Sequence, residues 1–128
     1  MGSRAVEPDG IAPPPARFAH AVATSGPQEW LHTSGVVPTR PDGSVADDVG
    51  EQARTVWQNI SAMLADARMG PSDIVSVTTY VVPGQDLGSV MAERDRFLDG
   101  HLAASTLVVV PELAQEAWKV EIAVVAAR

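Results

Sequence analysis

Glu121 is the residue whose setting first asks for chemistry. It stands in Lys119-Val120-Glu121-Ile122, inside a β-branched run that closes the chain. A carboxylate in an otherwise apolar strand must be paired or solvated in a cleft, because an isolated buried charge is costly. In a cleft, such a group can orient or deprotonate water and hand a proton to a leaving atom. On a sheet with one wet face the same residue would simply point to solvent, and the sequence alone leaves both readings open.

The other chemistry-bearing residues are sparser. His32 and Ser34 fall on one face of a strand that begins near Trp30. Neighbours two apart on a strand sit about 7 Å from each other, too far for a base to activate a nucleophile directly. His101 follows an expected helix, where it can answer the helix dipole or, when protonated, serve as a pocket cation. His20, His32 and His101 have no metal-ligand spacing and the chain has no cysteine, so no metal site is expected. No phosphate-cradling glycine loop or nucleophile elbow occurs, and no cofactor is expected. Trp30 and Trp118 are placed on strands, where they can flank a ligand or anchor a core or interface.

The elements that must hold these residues follow from pattern. Residues 1–16 end in Pro13-Pro14-Pro15, lack periodicity and read as a mobile or draped N-terminal arm, leaving 17–128 as a single domain. Phe18 to Thr24 and Trp30 to Val37, separated by Ser25-Gly26-Pro27, read as a first hairpin. Asp48 caps a helix whose Val49, Ala53, Val56, Ile60, Met63 and Leu64 form one apolar stripe, with Glu51 offering half of a capping box and Gly70-Pro71 ending it. Asp73 to Val82 reads as a strand. A second helix starts at Asp86, carries Leu87, Val90, Met91, Phe97 and Leu98 on one face, and ends at Gly100. Strands at about Ser105–Val110 and Trp118–Ala126 follow as a terminal pair. The order β-β-α-β-α-β-β predicts an α+β fold with two helices on one face of a mixed sheet. Neither strand set shows a clean polar face, so the uncovered side predicts a symmetric homo-oligomer with sites at subunit boundaries.

Composition narrows the function classes. With 45% hydrophobic and 20% charged residues the chain is globular. A formal net charge of −7, with nine scattered Lys and Arg, opposes attraction to nucleic acid or an anionic membrane. No apolar run approaches the roughly 18 residues of a membrane span. No basic start precedes an apolar core at the N-terminus, so a cytoplasmic location is expected.

Four motifs in order carry a resemblance. His32-Thr33-Ser34-Gly35-Val36-Val37-Pro38, Glu51-Gln52-Ala53-Arg54 with Asn59-Ile60, Asp73-Ile74-Val75-Ser76-Val77-Thr78 and Lys119-Val120-Glu121-Ile122 together resemble the Rid (YjgF/YER057c/UK114) family over about Phe18 to Ala127. The resemblance implies a chorismate-mutase-like fold, a homotrimer and small-molecule clefts between neighbouring subunits. It implies hydrolysis of reactive imines or enamines to a carbonyl compound and ammonia, with the motif carboxylate on Glu121. The family's substrate-gripping Arg falls on Ala104 in Ala103-Ala104-Ser105-Thr106, its aromatic hydroxyl on Phe18, and an Asn of the second helix on Met91. The expected ligand-binding set is Phe18, Trp30, Ser34, Gly35, Met91, Ala104, Ser105, Thr106 and Trp118. Losing a charge-assisted contact costs about 1.5–3 kcal/mol per bond in carboxylate affinity. The expected substrate is therefore less polar than a 2-imino acid, as in a tailoring step of specialised metabolism. A non-catalytic trimer that binds an apolar metabolite or a protein partner is the alternative, and an endoribonuclease is disfavoured by the acidic charge.

Overall fold

The computed structural model describes residues 2–128. Helix α1 spans Val49–Asp66, and its N-cap Asp48 accepts the Glu51 N–H at 2.9 Å, satisfying one of the donors a helix start leaves free. The expected stripe is the buried one: Val49, Ala53, Val56, Trp57, Ile60 and Leu64 face the sheet, each large apolar side chain contributing about 1.5–3 kcal/mol by leaving water. Met63 departs from the stripe and is exposed.

The first hairpin is not formed. Strand β1 (Gly2–Val6) pairs antiparallel with β2 (Ala21–Ser25), so the stretch read as a mobile arm contains a strand across this ladder. Strand β3 (Trp30–His32) pairs instead with β6 (Val120–Ala127). Between them lie β4 (Ile74–Val81), helix α2 (Leu87–Leu98) and β5 (Ala104–Val109).

The four-stranded sheet runs β3-β6-β4-β5, with β4 and β5 parallel and β6 antiparallel to both β3 and β4. The terminal strands are thus not a hairpin, because β4 lies between β5 and β6. A parallel pair needs a crossover, and α2 provides it. Both helices cover the face that carries Val77, Val81, Val120, Ile122 and Val124. The register sets Tyr80 against Glu121, Thr78 against Ala123 and Ser76 against Val125, so these residues alternate to the opposite face. That face is more polar than the β-branched runs suggest, since β4 presents Ser76, Thr78 and Tyr80 there.

Two charged residues lie on the buried side of α2, where an apolar face is expected. Glu93 is held by Arg54 at 3.0 Å and Arg96 at 2.8 Å, and this carboxylate raises the Arg54 pKa. Beside them Phe97 stacks on Trp57 with ring centroids 4.8 Å apart, joining the two helices. No helix among the described residues is long and apolar enough to cross a membrane.

Candidate active site

An irregularity in the β3–β6 ladder builds the site. His32 faces Val125, but the next bridge joins Val36 to Ile122, so Thr33, Ser34 and Gly35 stand against only Ala123 and Val124. One extra residue in a strand bulges it and re-aims the side chains beyond it. The Thr33 N–H donates to the Val124 carbonyl at 3.0 Å, and the Val124 N–H donates to the Thr33 hydroxyl at 3.0 Å. The threonine side chain thereby replaces the carbonyl that the bulge turns away. Past the bulge Val36 and Ile122 exchange backbone hydrogen bonds of 2.7 and 3.0 Å.

The bulge lays Gly35 against the Glu121 side chain. A Cβ at position 35 would sit 2.7 Å from Glu121 Cδ and 3.1 Å from its Cγ, so only glycine leaves the carboxylate its place. Glu121 is half-buried, and among the described residues no cation pairs with it. Its oxygens are available to accept from water or a ligand. Ser34 and Gly35 are exposed and line an open groove of about 720 Å³ between this loop and α1, with Asn59, Met63 and Asp66 on its other wall.

Two side chains of α1 hold the surroundings. Asn59 donates to the carbonyls of Val37 and Thr39 at 3.2 and 3.1 Å, fixing the exit of the bulge. The fully buried Gln52 donates to the carbonyls of Ala46 and Ala117 at 2.7 and 2.9 Å and accepts the Lys119 N–H at 2.8 Å. It pins the entry to β6 two residues before Glu121. Both residues belong to the sequence motifs, but the motifs alone do not give them these roles. The available signal was Gln52 beside Ala53 on an apolar face, since a buried amide must find partners.

The expected ligand-binding residues do not form one cluster. Ser34 and Gly35 join Glu121. Phe18 and Ala104 form a second group, because the Ala19 N–H donates to the Ala103 carbonyl at 3.0 Å and Ala19 bridges Ala104. Thr106 is exposed on the open sheet face beside Thr78. Ser105 points to the helix side, where Arg94 Nη1 reaches its hydroxyl at 3.4 Å. Met91 is half-buried on α2. Trp118 precedes β6 instead of lying on it, and lines a separate cleft with Pro83 and Pro111. Trp30 is exposed at the β3 edge, tilted against His32. His101 Nε2 donates to the Ile74 carbonyl at 2.7 Å.

Within the chain the two groups are far apart. Ala104 stands level with Ser76, Glu121 level with Tyr80, and β4 lies between their strands. At about 3.3 Å per residue and 4.8 Å per strand, this offset places their Cα atoms about 16 Å apart.

A profile of the family described as Endoribonuclease L-PSP matches residues 10–128. The chain belongs to that family, the Rid (YjgF/YER057c/UK114) proteins. It is 36% identical over 100 residues to a 2-iminobutanoate/2-iminopropanoate deaminase of Salmonella typhimurium, covering 75% of this chain and 77% of that one. Among solved structures, the conserved Rid protein YyfB of Yersinia pestis, described as of unknown function, superposes with a TM-score of 0.91 at 29% identity over 100% of both chains. Escherichia coli TdcF, solved with bound serine, gives 0.72 at 26% identity over 98% of both. The Rid fold and its imine-deaminase relatives thus agree with the α+β architecture expected from the sequence.

Proposed function

We propose that this chain hydrolyses the C=N bond of a reactive imine, or of the enamine that tautomerises to it, and that its substrate is less polar around the reacting carbon than a 2-imino acid. The observation that carries the reading is the half-buried Glu121 carboxylate seated on Gly35, with no cation paired to it among the described residues. Glu121 takes a proton from water as the water oxygen bonds to the imine carbon and the C=N π pair moves to nitrogen. That proton passes to nitrogen, giving a carbinolamine; the carboxylate then takes the hydroxyl proton and delivers it to nitrogen as the C–N bond breaks, so that ammonia leaves as the C=O bond forms. Deaminase relatives support the reaction class.

Substrate choice is argued from Ala104. A methyl group stands where a guanidinium would grip a carboxylate adjacent to the reacting carbon, and His101 is tied to a backbone carbonyl. The pocket also needs a second copy of the chain, because Ala104 and Phe18 lie about 16 Å from Glu121 by ladder spacing. Strands β3 and β5 are the two outer strands of the four-stranded sheet. Trp30 and Met63 are exposed at one edge and Leu102, Val108 and Val109 at the other. Contact between unlike edges gives a ring where the rotation between subunits closes, and we assign a trimer with the cleft between β3 of one subunit and β5 of the next. The same absent Arg favours, as a second reading, a trimer that binds its ligand without turning it over.

Ammonia release from 2-iminopropanoate and from imines without an adjacent carboxylate separates these readings. Faster release from the latter is expected, with Ala104→Arg shifting preference towards 2-iminopropanoate. Release from neither points to the binding protein, and fastest release by the unaltered protein from 2-iminopropanoate overturns the substrate assignment.

A further inference from the structure

The cations of this chain are mostly committed. Of its nine Lys and Arg, five arginines stand in salt bridges and Lys119 donates to the Asp47 carbonyl. Arg4, Arg17 and Arg68 remain, and among the described residues these three have no acidic partner. Arg4 lies on β1 opposite Ala23, and Arg68 follows α1. Arg17 is the one beside the pocket group, immediately before Phe18.

Its backbone fixes that placement. The Phe18 N–H donates to the Ala16 carbonyl at 2.9 Å, a three-residue turn with Arg17 at its apex. Two residues later Ala19 is bridged to Ala104, so the turn is anchored at the start of β5. Arg17 is exposed, two residues before the Ala19–Ala104 bridge. Other positive groups near this strand are engaged. Arg94 is 6% exposed, its guanidinium on Asp95 and Ser105, and His101 is bonded to Ile74.

We propose that Arg17 binds an anionic group carried by the substrate away from the reacting carbon. A guanidinium presents paired donors that match a carboxylate. Displaced from position 104 to a turn on the adjoining segment, it meets an acid set further along the ligand than the α-carboxylate of a 2-imino acid. The substrate class is then an imine that is apolar around its C=N bond and acidic at its far end. This inference rests on the proposed pocket at Phe18 and Ala104.

Product-like ketones test it without reactive imines. By calorimetric titration, 4-oxopentanoate should bind at least tenfold tighter than 2-pentanone, and also tighter than pyruvate, whose acid adjoins the carbonyl. Arg17→Gln should erase the difference between 4-oxopentanoate and 2-pentanone, Arg17→Lys should keep part of it, and salt should weaken it. Equal binding of those two ligands, preference for pyruvate, no measurable binding of 4-oxopentanoate or an unaltered preference in Arg17→Gln would overturn the proposal. Failure of the catalytic reading is seen separately, as imine turnover that survives in Glu121→Gln while this ligand preference stays intact.

Discussion

The carboxylate of Glu121 rests on the bare Cα of Gly35, with space for no further atom: a Cβ there would meet Glu121 Cδ at 2.7 Å. The glycine is needed for close approach and not for its backbone angles, since Gly35 is not among the positive-φ residues. A bulge in one strand and a carboxylate in the next therefore act as one unit.

Replacing Gly35 with Ala should push the Glu121 side chain away while leaving the ladder bonds of Thr33 and Val36 in place. A displacement of about 1 Å at a reacting group costs about a hundredfold in rate. We expect kcat to fall by about that factor with the urea midpoint little changed. Unaltered kcat would separate Gly35 from the site.

Gln52→Leu should destabilise the fold, because it removes the partners of the Ala46 and Ala117 carbonyls and of the Lys119 N–H. At about 1 kcal/mol for each lost bond the expected loss is about 3 kcal/mol, read from urea unfolding at constant slope. A loss below about 1 kcal/mol would show that water replaces these bonds.

The helix stripe of α1 was legible in the sequence because its signal is local: apolar residues recur with the helical period and Asp48 marks the start. Strand partners were not legible, since pairing depends on residues far apart. The strands at about Ser105–Val110 and Trp118–Ala126 read as a terminal pair, yet β4 separates them. Glu93 and Arg94 show the same limit, because charged residues read as solvated while packing with Arg54, Arg96 and Ser105 buries them. At the site, Glu121 stood out as a carboxylate between Val120 and Ile122. The bulge did not, because Thr33-Ser34-Gly35 differs from a continuing strand only in where Val36 finds its partner.

Asn59→Ala should loosen the segment from Val37 to Thr39 by removing both side-chain donors. About 1–2 kcal/mol of stability should be lost. Hydrogen exchange should quicken at Val36 and Thr39, with smaller changes in the β4–β6 ladder. Equal acceleration in both would mean that Asn59 acts on global stability alone.

The cap of α2 predicts a pH dependence. Hydrogen bonds from Ser89 and the Gly88 N–H hold the Asp86 carboxyl below its ordinary value of 3.8. A depressed folded-state pKa stabilises the protein above the unfolded value, and that contribution disappears as pH falls through the folded one. The melting temperature of Asp86→Ala should therefore lie below that of the unaltered protein at neutral pH, and the gap should narrow below about pH 4. A gap that stays constant through this range would remove the charge from the explanation.

The most direct test of Glu121 as the proton-handling group is the rate of ammonia release from an imine without an adjacent carboxylate by Glu121→Gln, a change that keeps size and polarity. General acid–base catalysis supplies about 100- to 10,000-fold, so the rate above the uncatalysed reaction should fall by at least a hundredfold with an unchanged unfolding midpoint. Release at the rate of the unaltered protein would contradict the account.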